Sequence, residues 1–386
     1  MALKIGRAHR APPFIVMDVI AQANAREAAR GPADPRVIRM EVGQPGTGAP
    51  VAAVAAAEDA LRSGNPMGYT EAFGRPSLRR RIARHYRDWY GLAVARERIA
   101  VTVGASGGFP LAFLAAFDPG DRVALAAPFY PPYVNVLTAL GLEPVILETT
   151  VESRFQPTVS MLEHLDPPPD GLIIASPCNP AGTMLHVDEL AAIARWCDAA
   201  GVRLVSDEIY HGLQYEHPIA TAAAFSPHAV VINSFSKYFS MTGWRIGWMV
   251  LPEDLIRPVE CLAQNLFISA PHIAQIAAEA AFACHAELQG NVARYRRSRD
   301  HLLATLPAAG FSKLSPAEGA FYLFADLAAR TDDSPAFCAR MLAEIGIAAT
   351  PGVDFDRVRG KHFLRFSYCG PEADMREAAR RLLDWT

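Results

Sequence analysis

From Ile99 onward, short β-branched runs alternate with helical stretches: IAVTV (99–103), RVALA (122–126), PVILE (144–148), GLIIAS (171–176), VRLVSDE (202–208), AVVINS (229–234) and IGWMV (246–250). Successive runs are separated by helical patterns such as Asp188 to Ala200, the kind of connection that parallel strands require. The pattern predicts an α/β fold with a largely parallel, helix-covered sheet. Upstream, apolar positions at helical spacing predict helices over 15–29, 51–61 and 76–89, the last with Leu78, Ile82 and Tyr86 on one face. Between the first two, VIRMEVGQPG (37–46) reads as a strand entering a turn.

A long helical region is expected from Pro258 past Arg299, with Gly290 as its weak point. Beyond it the texture changes: helices over 337–345 and 372–385 enclose the strand-like IAATPG (347–352) and HFLRFSYCG (362–370). A chain of 386 residues exceeds what one hydrophobic core usually spans. Three regions follow: an N-terminal arm and segment (1–45) that joins the smaller domain, a large domain (46–290), and a small α+β C-terminal domain (291–386).

Charge and composition narrow the function. With 37 basic and 40 acidic residues the net charge is -3, so nothing draws the chain to nucleic acid. No apolar stretch reaches the roughly 20 residues of a membrane span, and MALKIGRAHRAPP lacks the apolar run of a secretion signal. A soluble cytoplasmic protein is expected. The six cysteines (178, 197, 261, 284, 338, 369) show no CxxC spacing, and HxH and HExxH are absent, so free thiols and no metal site are expected.

The positive charge is almost all arginine; the only lysines are Lys4, Lys237, Lys313 and Lys361. Lys237 lies in NSFSKYFSMTGWRIGW (233–248), at the end of a strand. There Ser234, Ser236 and Arg245 can gather around a phosphate with the Gly-rich turn of VTVGASGGFPLAF (101–113), where a helix is expected to start near Gly107. That leaves Lys237 free for imine chemistry, which needs an amine able to lose its proton. A solvent-facing lysine and a tight packing turn are the plainer readings of the same residues.

A cofactor carrying both a phosphate and an aldehyde, as pyridoxal phosphate does, makes further demands. Its ring nitrogen needs a carboxylate, its phenolate oxygen neutral donors and its face an aromatic ring. Asp207 follows an apolar strand that would bury it unless paired, and Tyr210 can come round the same turn. Asn179 in SPCNPAGT can reach the same oxygen, and Tyr130 or Phe129 in APFYPPY can cover the ring. Helix capping by Asp207, a plain turn at Asn179 and core packing of the aromatics are the alternatives.

Over nearly its whole length the chain resembles the class I/II pyridoxal-phosphate aminotransferases of fold type I, the aspartate aminotransferase-like group. The pattern SxSKxxxxxGxRxG appears as SFSKYFSMTGWRIG (234–247), and NPxG as Asn179 to Gly182. The resemblance implies a three-layer αβα large domain with a mainly parallel seven-stranded sheet. It also implies that Lys237 is the Schiff-base lysine, that Ser234, Ser236, Arg245, Ala105 and Ser106 bind phosphate, and that Asp207, Tyr210, Asn179 and Tyr130 hold the ring. Arg365 in FLRFSY matches the arginine that clamps the substrate carboxylate, Gly43 in VGQPG a glycine lining it, and Tyr69 in GYT a tyrosine reaching the neighbouring subunit's cofactor in a homodimer with shared sites.

The activity so implied is ping-pong transfer of an amino group from an L-amino acid to a 2-oxo acid, 2-oxoglutarate or pyruvate. A carbon–sulfur β-lyase on the same apparatus and a non-catalytic amino-acid sensor are the alternatives. The short, nearly neutral N-terminal segment has no room for a DNA-binding module that a sensor would use. Arg36, Arg75 and Arg257 are candidates for a distal-carboxylate contact, and Phe14, Ile15, Phe267 and Ile268 for an apolar side-chain pocket.

Overall fold

The computed structural model describes residues 3–6, 11–32, 34–64 and 66–385. Helix α1 (Ile15–Ala28) leads to a two-residue strand β1 (Ile38–Arg39), and α2 (Val51–Arg62) and α3 (Pro76–Tyr90) follow. Strand pairing is thus confined to two residues of the VIRMEVGQPG run. Helix α3 begins with Pro76, whose missing N–H would have no helical partner there, and ends at Gly91 in the left-handed conformation (φ 64°) that closes a helix. Its Leu78, Ile82 and Tyr86 are fully buried on one face.

Seven strands form the main sheet: β2 (Ile99–Thr102), β3 (Arg122–Ala127), β4 (Glu143–Glu148), β5 (Gly171–Ala175), β6 (Arg203–Asp207), β7 (Val230–Ser234) and β8 (Gly247–Val250). Each matches one of the seven apolar runs. The order is β2-β8-β7-β6-β5-β3-β4, and only β8 runs antiparallel to its neighbours. Strands β2, β5, β6, β7 and β8 are buried along nearly their whole length, as strands covered on both faces by helices must be. The connections carry α4 (Gly104–Ala116), α5 (Pro132–Leu140), α6 (Val159–Glu163) and α7 (Val187–Ala200). Helix α4 starts at Gly104, three residues earlier than the sequence pattern suggests, because Gly104 takes φ +66° and turns the chain directly off β2.

The long helical region resolves into three helices, α8 (Glu253–Leu266), α9 (His272–Ala281) and α10 (His285–Thr305). The breaks fall at Ile268, which has φ 64°, and around Phe282 to Cys284; Gly290 lies inside an unbroken α10. Pro258 is the sixth residue of α8, where it removes the N–H that would meet the Asp254 carbonyl without ending the helix. A smaller α+β unit then contains β9 (Tyr322–Asp326), α11 (Ser334–Ile345), β10 (Ile347–Ala348), β11 (Thr350–Pro351), β12 (Phe363–Ser367) and α12 (Glu372–Asp384). Strands β11, β12 and β9 form one antiparallel sheet, while β10 pairs in parallel with β1, tying the N-terminal segment to this unit.

All six cysteines are free thiols, four of them buried. No helix among the described residues is long and apolar enough to cross a membrane.

Candidate active site

The topology decides which loops meet. Strands β2, β3, β5, β6 and β7 all point their carboxyl ends at one edge of the sheet. Antiparallel β8 starts from that same edge, so Arg245, two residues before it, joins them. Open α/β sheets bind ligands at this edge. A cavity of about 440 Å³ lies there, bounded on its far side by α1, β9 and β12.

At its floor, Lys237 Nζ donates to the carbonyl oxygen of Gly43 at 2.6 Å. Burial, helped by the charges of Arg365 and Arg245, lowers the Lys237 pKa to about 8, against the opposing pull of Cys369 and Asp207. At pH 7 roughly a tenth of the amine is then neutral, against about three in ten thousand for an ordinary lysine. Asp207, at the carboxyl end of β6, is 4% exposed. Its Oδ2 accepts the hydroxyl of Tyr133 and its Oδ1 the N–H of Ile209 at 3.1 Å. Burial raises its pKa to about 6, opposed by those two hydrogen bonds and by Lys237. A cation bound against this carboxylate would reverse that shift.

One end of the cavity is built for an anion. The first turn of α4 brings Ala105 and Ser106 to the wall beside Ser236 and Arg245. Arg245 holds a left-handed backbone (φ 52°), donates Nη1 to Thr242 O at 2.8 Å, and has no carboxylate partner among the described residues. A Cβ added at Gly104 would lie 2.5 Å from its Nη2, so only glycine lets the guanidinium settle against the helix start.

The other end holds Arg365 from β12, 3% exposed. Its Nη1 donates to Asn179 Oδ1 at 2.7 Å, and its Nη2 to Glu41 O and to Thr350 Oγ1. Its Nε is buried without a hydrogen-bond partner, and no carboxylate among the described residues pairs with it. A buried guanidinium in this state calls for an anionic ligand. Its flat face rests 4.5 Å from the centre of the Tyr322 ring.

Most of the residues expected from the sequence line this one cavity: Gly43, Ala105, Ser106, Tyr130, Asn179, Asp207, Tyr210, Ser236, Lys237, Arg245 and Arg365. Two do not. Ser234 is packed behind Ser236, its Oγ 2.9 Å from Ser236 Oγ and 3.1 Å from Ile246 O. Tyr69 is 83% exposed and does not line the cavity of its own chain. Of the aromatic alternatives, Tyr130 lines the cavity and Phe129 is core.

Residues 35–382 match the family described as aminotransferase class I and II. The chain belongs to this family. It is 49% identical over 378 residues to a valine–pyruvate aminotransferase of Mycobacterium tuberculosis, covering 97% of this chain and 96% of that one. The solved structure of an aminotransferase from Mycobacterium tuberculosis superposes with a TM-score of 0.96 at 47% identity, covering 100% of this chain and 99% of that one. Thermus thermophilus aspartate aminotransferase with maleate superposes with a TM-score of 0.92 at 31% identity, each chain fully covered. This aminotransferase therefore has the aspartate aminotransferase-like architecture that its motifs indicated.

Tyr133 and Tyr322, together with Val16, Met17 and Ile20, escaped the sequence reading. Tyr133 follows Tyr130 by three residues in APFYPPY, a spacing that puts both rings on one side of a turn, yet its bond to Asp207 crosses 74 positions. Tyr322, whose hydroxyl lies 2.7 Å from that of Tyr210, sits in an ordinary apolar strand pattern. Phe14 lines the cavity together with Val16, Met17 and Ile20 of α1, whereas Ile15, Phe267 and Ile268 do not.

Proposed function

We propose that this aminotransferase binds pyridoxal phosphate and transfers the amino group of an L-amino acid with an apolar side chain to pyruvate or a similar 2-oxo acid, in two half-reactions at one site. The observation that carries this reading is Lys237: an amine shifted toward neutrality, standing in one cavity between a buried carboxylate and a buried, unpaired guanidinium.

The residues fit the cofactor. Ser236, Arg245 and the N–H groups opening α4 suit its phosphate, with Ser234 bracing Ser236 from behind. Asp207 suits the ring nitrogen, Tyr210 and Asn179 the phenolate oxygen, Tyr130 a ring face, and Lys237 the aldehyde carbon. When bound, the cofactor supplies that carbon and a ring that accepts the electron pair left at the substrate Cα.

The chain's own groups do the rest. Arg365 binds the α-carboxylate with the face of its fork left free by Asn179 and Glu41, fixing Cα near Lys237. Neutral Lys237 Nζ would carry the α-proton from Cα to the cofactor's aldehyde-derived carbon, and in the reverse half-reaction a proton from that carbon back to Cα. Asp207, kept anionic by the cation it faces, holds the ring nitrogen's proton, and Tyr133 keeps that carboxylate oriented. The ring of Tyr322 backs the Arg365 guanidinium.

Donor class follows from the wall. Apart from Lys237, the cations lining the cavity among the described residues are Arg245 and Arg365, and both are assigned. Arg36, Arg75 and Arg257 are engaged elsewhere by Asp374, Glu279 and Glu260 and do not line it. On the α1 side the cavity presents Phe14, Val16, Met17 and Ile20, an apolar face suited to an aliphatic side chain. The name of the Mycobacterium tuberculosis relative, valine–pyruvate aminotransferase, agrees with such a donor.

The same reading makes the working unit a homodimer. Tyr69 is exposed and precedes Thr70, whose N–H donates to Ser269 Oγ at 3.4 Å directly after the exposed apolar Leu266, Phe267 and Ile268, and it has a role only if a second copy presents its cavity there. A donor-by-acceptor matrix on the cofactor-loaded enzyme tests the function: valine with pyruvate should outpace aspartate with 2-oxoglutarate. Ammonia and oxo acid released without any acceptor would instead make it a lyase, and a fully active monomer in sedimentation would end the dimer reading.

A further inference from the structure

Away from the cavity, three side chains with metal-binding atoms meet where the smaller unit packs on the loops of the main sheet. His186 precedes α7, His217 lies beyond the turn that follows β6, and Glu318 lies four residues before β9. Their ligand atoms all fall within 4.8 Å of one another, the one such group of His, Cys, Asp or Glu among the described residues. Glu318 Oε1 is 3.8 Å from Nε2 of His186 and 3.8 Å from Nε2 of His217, and the two imidazole rings lie 4.6 Å apart.

The carboxylate is held in place for this arrangement. Glu318 is 7% exposed, and its Oε2 accepts the N–H of Met184 at 2.8 Å, which leaves Oε1 turned to the imidazoles. On either side of it, Ala317 and Ala320 take left-handed backbone (φ 51° and 56°), and Gly319 N–H donates to Gly182 O at 2.8 Å. Such conformations are costly in non-glycine residues and persist only where the surroundings impose them. Nε2 of His186 is buried with no hydrogen-bond partner. Arg154 also faces Oε1, its Nε 3.7 Å away, but its charge is already matched by Glu189, 2.6 Å from Nη2. The Glu318 carboxylate is therefore left without a cation of its own among the described residues.

We propose that His186, His217 and Glu318 form a binding site for a divalent transition metal ion of the zinc type, with a water in the fourth position. Two imidazoles and a carboxylate are a zinc donor set, and tetrahedral ligands at about 2.0–2.2 Å stand roughly 3.4 Å apart, so the two 3.8 Å separations need to close by about half an ångström and the imidazole pair, within 4.8 Å, by at most about 1.5 Å. The ligands come from positions 186, 217 and 318, which is why no local spacing motif announced them. Bound metal ties the segment running into Tyr322 to the loop that follows Asn179.

The test is equilibrium dialysis of the cofactor-loaded enzyme against zinc, with elemental analysis and a thermal melt. One zinc per subunit should be retained and Tm should rise. His217→Ala, a half-exposed position, and Glu318→Gln, which keeps an acceptor for the Met184 N–H, should each weaken binding by roughly tenfold or more and remove the rise in Tm. Zinc retained equally by both variants, or no saturable zinc in the parent enzyme, would overturn the site.

Discussion

Nη1 of Arg365 donates to Oδ1 of Asn179 across 2.7 Å, joining β12 of the smaller unit to the loop that follows β5 of the main sheet. This bond, with those to Glu41 O and Thr350, holds a buried guanidinium that has no carboxylate of its own among the described residues. Asn179→Ala removes the brace and keeps the charge. The KM for the amino donor should rise about tenfold, the ~1.5 kcal/mol of a hydrogen bond to a charged group. Arg365→Lys loses the two-pronged geometry, and kcat/KM should fall about 100-fold for donor and acceptor alike. Steady-state kinetics with each substrate varied separately measures both effects.

Lys237 should be the point of covalent attachment. Borohydride reduction of the loaded enzyme should leave the cofactor's mass on the peptide carrying Lys237, and Lys237→Ala should reduce turnover to background. Lys237→Arg should do no better, since a guanidinium keeps its proton at any working pH. Mass spectrometry that finds the cofactor on another lysine would refute the assignment.

The two shifted groups make the cofactor-free protein pH-sensitive in a defined sense. Asp207 has its pKa raised to about 6, so the native state keeps a proton the unfolded chain has lost, and stability falls as pH rises from about 4 to above 6. Lys237 has its pKa lowered to about 8, so its penalty is complete below that pH and is relieved only as pH climbs from 8 toward the ordinary lysine value. Between pH 6 and 8 both penalties stand, each on the order of a few kcal/mol. Asp207→Asn should therefore raise the melting temperature of the cofactor-free protein at pH 7 and lose that advantage at pH 4, while kcat of the loaded enzyme drops about 1000-fold or more. Melts across pH decide it.

Gly43 is needed because of Tyr322. A Cβ at position 43 would lie 1.8 Å from the Tyr322 hydroxyl oxygen and 2.8 Å from the ring carbon bearing it. Gly43→Ala must displace the ring, its bond to Tyr210 and its packing under Arg365, at about 1–3 kcal/mol. In a Tyr322→Ala background the same substitution should cost almost nothing. Equal losses in both backgrounds, read from urea midpoints, would show that the contact is not the reason.

The apolar wall can be challenged directly. Met17 lines the cavity from α1 yet is 57% exposed, so a charged replacement stays solvated. Met17→Arg should improve kcat/KM for aspartate relative to valine by about tenfold, the worth of one new ion pair of ~1.4 kcal/mol. An unchanged ratio would mean that the donor side chain points elsewhere.

The local pattern of this chain determined a great deal by itself. Five of the seven apolar runs are strands covered on both faces, which must be apolar throughout, and that is visible without any partner. Lys237, Asp207, Asn179 and Arg245 were legible because each sits at a strand end with a chemistry its neighbours do not explain. Tertiary structure decided what depends on distance along the chain. Antiparallel β8, set by its pairing with β2 and β7, brings Arg245 to the edge shared by the others; Tyr133 of α5 reaches Asp207 at the end of β6, and Tyr322 of β9 reaches Gly43 in the loop after β1, only because elements far apart in the chain pack together. The same holds for His186, His217 and Glu318. Periodicity reports which face of an element is buried, and only packing determines which two faces meet.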